Sequence, residues 1–318
     1  MKNSYRFAVL SDIHIDLEDG GRRTYFIHAE KNFKRALKVS EELGCDFIIS
    51  AGDQVTNASG AAEEWRRYRA LISASGYSGQ VFEALGNHEL RFAKYGACTV
   101  EDCRNEFIKY TNLSSKPVSR PTGKTYYEYI EPVFGDAFIF MALENGADTN
   151  LIDNFSDEQT DWLEVLLERY SREDRRIFLI QHAPIYGFGA GDDTQKPAYE
   201  GSIHLYDDSG AVFRNNRRFH ELVSRYRDII WLSGHTHVDL RDGVNYSHEG
   251  ACHMLHISAL SGSTRMIYDE NGRHILNRTF YDDAAQGYIA DVSRDEVVFR
   301  GIDFLSGEMY HQYTYTIR

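Results

Sequence analysis

The sequence predicts an α/β fold built on a largely parallel sheet, and three observations lead there. Short apolar runs alternate with amphipathic, helix-period stretches, which is the strand–helix–strand order of α/β proteins. The runs are too short for helices and read as buried strands. Five of them end in a small cluster of Asp, His or Asn. In open α/β sheets ligands bind beyond the carboxyl ends of the strands, so such clusters can meet in space although they lie far apart in the chain.

Phe7-Ala8-Val9-Leu10 is the first strand pattern and runs into Ser11-Asp12-Ile13-His14. A helix is predicted from about Glu30, with Phe33, Ala36, Leu37 and Ser40 on one face and Gly44 as its stop. Asp46–Ser50 is the next strand and leads to Gly52-Asp53. Ala61, Trp65, Tyr68 and Ile72 mark a second amphipathic helix. Gln80–Leu85 is the third strand and runs into Gly86-Asn87-His88-Glu89. Pro117, Pro121 and Pro132 punctuate an irregular middle. A strand over Asp136–Glu144 follows, then a helix capped by Ser156 with Gln159, carrying Trp162, Leu163, Leu166 and Leu167. Strand Arg176–Ile180 ends at Gln181-His182-Ala183-Pro184. Helix Arg217–Arg225 precedes strand Asp228–Leu232, which ends at Ser233-Gly234-His235-Thr236-His237.

The tail is rich in short β patterns at Met254–Leu260, Gly287–Val292, Glu296–Arg300 and Met309–Ile317. No linker sets it apart. One domain over 1–318 is expected, with a motif-bearing core of about 5–262 and a β-rich segment of about 263–318 packed on it.

The 318 residues, 42% hydrophobic and 26% charged, suit a soluble globular protein with a buried core. No apolar run approaches the roughly 20 residues of a membrane helix. Nor does the polar Met1–Arg6 leave room for a secretory leader before the first strand, so a cytoplasmic protein is expected. The net charge of −13 repels polyanions, which makes long nucleic acid a poor partner and leaves a small phosphorylated substrate open. The four cysteines form neither a CxxC pair nor a dense framework and read as reduced thiols, although Cys98 and Cys103 are near enough in sequence to pair or share a metal.

Asp12, His14, Asp53, Asn87, His182, His235 and His237 offer carboxylate, imidazole and amide ligands together. That mixture suits Mn, Fe or Zn better than calcium, whose sites are all oxygen. Seven ligands exceed the needs of one ion once water takes its share; two ions sharing a bridging carboxylate would use them all. Taken singly, Asp-x-His, Gly-Asp or a histidine before Ala-Pro is ordinary turn or core chemistry, but a structural reading would have to explain five strand ends independently.

Asp12-x-His14, Gly52-Asp53, Gly86-Asn87-His88-Glu89, His182 and Gly234-His235-x-His237, in that order, resemble the signature of the calcineurin-like metallophosphoesterases. The resemblance runs from the first strand to about His237. It implies a four-layer α/β/β/α sandwich, here with additional C-terminal β-hairpins, and a dinuclear metal site at its rim. One ion would be held by Asp12, His14, Asp53 and His237, the other by Asp53, Asn87, His182 and His235, with Asp53 bridging. The implied activity is hydrolysis of phosphate esters, with a lean to small phosphodiesters, by attack of a metal-bridging hydroxide. His88 would stabilise the transferring group or protonate the leaving oxygen. Phosphomonoesterase or nuclease activity of the same family, or a non-catalytic metal-bound scaffold, are the alternatives; the acidic charge and the lack of a basic, aromatic-lined groove weigh against a nuclease. Many relatives carry an acid three residues after the bridging Asp, where it can orient the catalytic His, and purple acid phosphatases carry a tyrosine ligand there. This chain has Thr56, so no iron–phenolate site is expected and the motif leaves the orienting partner of His88 unassigned.

The glycine-rich span Gly187–Gly210 lacks the setting of a nucleotide-binding loop and is expected to limit access to the site and, with Gly20–Glu30, to set specificity. Arg214, Arg217, Arg218, Arg225 and Arg227 read as a solvated helix face before a phosphate-steering patch.

Overall fold

A computed structural model describes residues 2–17, 26–56, 61–94, 98–145, 152–188, 190, 203–207, 209–226, 228–249, 252–268, 274–281 and 283–316. In chain order the strands are β1 (Tyr5–Leu10), β2 (Phe47–Ser50), β3 (Gln80–Glu83), β4 (Tyr127–Ile130), β5 (Ala137–Phe140), β6 (Ile177–Ile180), β7 (Ile229–Ser233), β8 (Tyr246–Glu249), β9 (Cys252–His256), β10 (Ser263–Tyr268), β11 (His274–Tyr281), β12 (Gln286–Val292), β13 (Glu296–Asp303) and β14 (Met309–Thr316). The helices are α1 (Ala29–Glu42), α2 (Ala61–Ser75), α3 (Arg91–Lys94), α4 (Val100–Tyr110), α5 (Asp157–Arg172) and α6 (Arg214–Arg225).

Two six-stranded sheets form the middle layers, ordered β14-β13-β12-β1-β2-β3 and β4-β5-β6-β7-β9-β8, and β10-β11 is a separate ribbon. β1, β2 and β3 are parallel, as are β5, β6, β7 and β9. These central strands are buried along almost their whole length, which is why their sequences are continuous apolar runs without alternation. Helices cover the outer faces, and the arrangement is the four-layer sandwich. Phe33 of α1 stacks on Tyr68 of α2 at 5.1 Å on one side; Phe219 of α6 meets Trp231 of β7 edge-on at 5.5 Å on the other.

Four phenylalanines lock the sheets together. Phe7 stacks on Phe47 within the first sheet (5.1 Å, 5°), and Phe138 on Phe178 within the second (4.4 Å, 5°). The pairs meet edge to face, Phe7 against Phe138 and Phe178 at 5.4 and 5.6 Å and Phe47 against Phe138 at 5.4 Å. Alternating stacked and T-shaped contacts set negative ring faces against positive edges, worth about 0.5–1.5 kcal/mol per pair beyond burial.

The expected C-terminal β-hairpins are present, and their place is in the first sheet. β12 pairs antiparallel with β1, placing Ala290 opposite Phe7, so β12–β14 continue the first sheet. Strand patterns show that a segment is extended but not which edge it joins, and β1 had a free side. The middle is also more regular than expected: Val100–Tyr110 is a helix whose N-cap Thr99 makes a full capping box with Asp102. Among the described residues no helix is long and apolar enough to cross a membrane.

If the aromatic contact joins the sheets, Phe138→Ala should lower unfolding stability by about 3–5 kcal/mol in urea titration. Val165→Ala, on the exposed face of α5, should stay within about 0.5 kcal/mol. Equal, small losses would place the core elsewhere.

Candidate metal centre

The carboxyl ends of five parallel strands reach one rim. β1 leads to Asp12 and His14, β2 to Asp53, β3 to Asn87 and His88, β6 to His182, and β7 to His235 and His237. Backbone hydrogen bonds extend the ladders past the strands and tie the loops together. Asp12 N donates to Gly52 O (3.1 Å), His14 N to Asp53 O (2.9 Å) and Gly234 N to His182 O (2.7 Å). Two glycines are required by close approach. A Cβ on Gly52, whose φ is +118°, would lie 2.3 Å from His182 Nδ1; one on Gly234 would lie 1.9 Å from Ser11 Oγ.

Among the described residues eight non-glycine residues have positive φ, and five of them are candidate ligands: Asp12 (52°), His14 (53°), Asp53 (55°), His235 (78°) and His237 (56°). Left-handed backbone costs an L-residue roughly 1–2 kcal/mol, somewhat less for Asp, and it gathers at functional sites where the surroundings enforce it. Here the conformation turns successive side chains inward from tight loops.

Each carboxylate is aimed by a backbone N–H from another loop. Asp53 Oδ1 accepts from His88 N (2.9 Å), leaving Oδ2 toward the centre; Asp12 Oδ2 accepts from His235 N (2.9 Å), leaving Oδ1. Asp12 Oδ1 lies 3.1 Å from His237 Nε2, which in turn is 3.1 Å from His14 Nε2. Asp53 Oδ2 lies 3.2 Å from His182 Nε2, and Asn87 Oδ1 sits 3.1 Å from that nitrogen and 3.0 Å from His235 Nδ1. Three metal-compatible groups result: Asp12, His14 and His237; Asp53, His182 and His235; and, between them, His14, Asp53 and His88. The structure thus brings all eight sequence-predicted residues to one place.

The chemistry of this donor set fits a cation. His182 Nδ1 faces Ala51 O at 2.9 Å and His237 Nδ1 faces Gly262 O at 3.2 Å. A proton on each Nδ1 satisfies those carbonyls and fixes the tautomer in which Nε2 is a lone pair. Imidazole nitrogens, carboxylate oxygens and an amide oxygen, all of them able to ligate once the imidazoles are neutral, then converge on one buried point. Burial alone would raise the Asp12 and Asp53 carboxyls. The imidazoles around them, His237 and His14 for Asp12 and His182 and His88 for Asp53, outweigh it and hold both well below the usual range. Without a cation, burial would lower His182, but the Asp53 charge wins and lifts it to about 9. His235, with burial dominant, falls to about 4.

His88 stands apart from the ladder of ligands, its Nε2 3.9 Å from Asp53 Oδ2. Its Nδ1 is 3.2 Å from the Thr56 carbonyl and 3.3 Å from Arg91 Nη1. The main chain of Thr56 therefore supplies the acceptor that an acidic side chain supplies in many relatives, while its hydroxyl turns away to Glu64 (3.1 Å). Burial, aided by His14 and Arg91 and opposed by Asp53, pushes His88 down to about 3.

Two supporting residues had no assigned role in the sequence. Glu89, fully buried, accepts from four backbone N–H groups: Oε2 from Gly86 (2.7 Å) and Asp53 (3.1 Å), Oε1 from Gln54 (2.7 Å) and Val55 (3.3 Å). It clamps the Asp53 loop to the Asn87-His88 loop. His256, also buried, lies 2.8 Å from Gly234 O through Nε2, and its Nδ1 faces Asn245 Nδ2 at 3.3 Å, which braces the His235–His237 loop. His256 closes β9, a sixth apolar run ending in histidine; the signal was present in the sequence. Glu89 offered only its place beside Asn87-His88.

Of the expected access loop, residues 189, 191–202 and 208 lie outside the described set, as do residues 20–25 of the Gly20–Glu30 span. The arginines of α6 pair largely with acids, Arg214 with Asp157, Arg217 with Glu221, Arg218 with Asp161 and Glu164, and Arg225 with Glu164, as a solvated face should; Arg227 is outside the described residues.

The calcineurin-like phosphoesterase family model matches residues 5–239. Among solved structures the chain is similar to a dimetal phosphatase from Danio rerio (13% identity, 99% of each chain, TM-score 0.60). It is also similar to the purple acid phosphatase PPD1 of yellow lupin, Lupinus luteus (15% identity, 99% of this chain and 54% of that one, TM-score 0.64). A third is GAP50, the anchor in the inner membrane complex of Plasmodium (17% identity, 100% and 90%, TM-score 0.57). At these identities the likeness is one of fold. Comparison with curated proteins finds no match.

A histidine must lose its proton to ligate. Metal binding should therefore release protons and tighten as pH rises toward about 9, where His182 titrates in the cation-free protein. Calorimetry in buffers of different ionisation enthalpy reads both effects; affinity independent of pH would contradict them. If Asp53 bridges two ions, Asp53→Ala should lose both by elemental analysis and His237→Ala mainly one. Equal losses would remove Asp53 from the bridge.

Proposed function

The chain belongs to the calcineurin-like phosphoesterase family, and from that premise we propose that it hydrolyses small phosphodiesters at a dinuclear centre spanned by Asp53. The observation that carries this reading is the convergence of carboxylate, imidazole and amide ligand atoms from five strand ends on one buried point. Bound Mn, Fe or Zn ions would activate water and polarise the phosphoryl oxygens.

The chain's own residues divide the remaining work. Asp53, with Oδ1 fixed by His88 N–H, presents Oδ2 between the two ligand groups. Asn87 Oδ1, between His182 and His235, holds the second group in register. His88, one residue on, is free of the acceptor clusters on its Nδ1 side and reaches the centre through Nε2. An anionic phosphoryl group beside the ring would favour the imidazolium. With Nδ1–H on the Thr56 carbonyl, the second proton then sits on Nε2 for delivery to the leaving oxygen.

An apolar face beside the centre supports a diester. Phe26 stacks on the His14 ring at 4.3 Å. A diester carries carbon substituents on both sides of phosphorus, so one can rest on this face while the other leaves; a monoester has only the leaving one. The net charge of −13 supports a small substrate over long nucleic acid, and an aqueous cytoplasmic setting remains our reading.

His88→Ala should keep the fold and both ions, with turnover of diesters lowered about 10²–10⁴-fold. The loss should be larger for alkyl than for nitrophenyl esters, whose leaving group hardly needs a proton. Loss of metal in this variant would make His88 a ligand with His14 and Asp53. Wild type and variant equally inert on every ester, with metal bound, would make the protein a scaffold.

A further inference from the structure

Away from the metal centre, two thiols stand nearly in bonding range. Cys98 Sγ and Cys103 Sγ are 3.3 Å apart. The chain turns sharply between them at Thr99, whose Oγ1 accepts from Asp102 N (3.1 Å) while Asp102 accepts from Thr99 N (2.9 Å). That capping box starts α4 and brings residue 98 back over the helix's first turn. A disulfide needs about 2.05 Å between sulfurs, so side-chain rotation has roughly 1.3 Å to close. Cys45 and Cys252 are buried.

We propose that Cys98 and Cys103 form a redox couple that closes to an intramolecular disulfide under a peroxide oxidant. Cys98, the less buried, meets the peroxide first: its thiol gives up its proton, the sulfur attacks one peroxide oxygen to form a sulfenic acid, and the other oxygen leaves as hydroxide, which takes up that proton as water. The Cys103 sulfur then attacks the sulfenic sulfur. The S–S bond forms as the S–O bond breaks, and the Cys103 proton leaves with hydroxide as a second water. Two thiols have been oxidised and one peroxide reduced. A dithiol reductant reverses the bond by thiol–disulfide exchange.

The couple touches the segment that carries His88. Cys103 lies in the first turn of α4, and α4 packs against α3 and against the His88–Leu90 turn from which α3 continues. Closing the disulfide draws the Cys103 side chain toward Cys98 within that packed corner. Oxidation should therefore loosen α3 behind His88. The inference does not rest on the catalytic reading.

Trypsin provides a direct test, because cleavage after Lys94 and Arg104 releases one peptide holding both cysteines and no other. The native full-length protein is treated with hydrogen peroxide, unfolded and alkylated with iodoacetamide. The peptide is expected unalkylated and lighter by two hydrogens, returning to the doubly alkylated form after dithiothreitol, with Cys45 and Cys252 alkylated throughout. Cys98→Ser should leave Cys103 alkylatable after the same treatment. In hydrogen exchange the amides of α3 should exchange faster in oxidised wild type and not in peroxide-treated Cys98→Ser. A peptide that stays doubly alkylated, or gains oxygens without losing hydrogens, overturns the couple. Unchanged exchange across α3 in fully oxidised protein overturns its link to the His88 segment.

Discussion

At the rim of the two sheets, two buried carboxylates are held inside a ring of imidazoles. Asp12 faces His237 at 3.1 Å and Asp53 faces His182 at 3.2 Å, while His14 and His237 stand nitrogen to nitrogen at 3.1 Å. A buried carboxylate is costly unless positive charge lies beside it. A divalent cation at the same place would supply that charge. The rest of the structure can be understood as the frame that enforces this contact: parallel strands deliver the loops, backbone bonds between loops fix their register, Glu89 ties the Asp53 loop to the Asn87-His88 loop, and His256 braces the His235–His237 loop.

The same constraint accounts for the backbone. Five of the inward-facing residues sit in the left-handed region, and their combined strain is comparable with a sizeable share of the 5–15 kcal/mol by which a domain is ordinarily stable. Such strain persists only above a rigid base. The four interlocked phenylalanines join the sheets, so the loops of one sheet cannot drift from those of the other. Stability of the core and placement of the ligands are thus one problem, solved by sheets whose faces are buried on both sides.

Much of this was legible in the sequence because the relevant signals are local. Leu10 is followed by Asp12 and His14, and Ser233 by His235 and His237; a strand end announces itself by the switch from apolar to ligating residues. Non-local pairing left no such mark. Nothing in Gln286–Val292 says that it joins β1, and nothing in Thr56 says that its carbonyl, in place of a side-chain acid, will face His88. Helix Val100–Tyr110 was readable from the Thr99–Asp102 cap but was obscured by the prolines after it. Glu89 shows the limit most clearly, since a carboxylate that accepts four backbone hydrogen bonds looks, in sequence, like any surface acid.

The central claim is that the converging acceptors are a two-ion site with Asp53 between the ions. Anomalous diffraction from crystals of the Mn- or Zn-loaded protein, recorded on both sides of the metal's absorption edge, tests it directly. The account predicts two peaks about 3.5–4 Å apart, one beside Asp12, His14 and His237 and one beside Asn87, His182 and His235, with Asp53 reaching both. A single peak at full loading, or peaks away from Asp53, would contradict it.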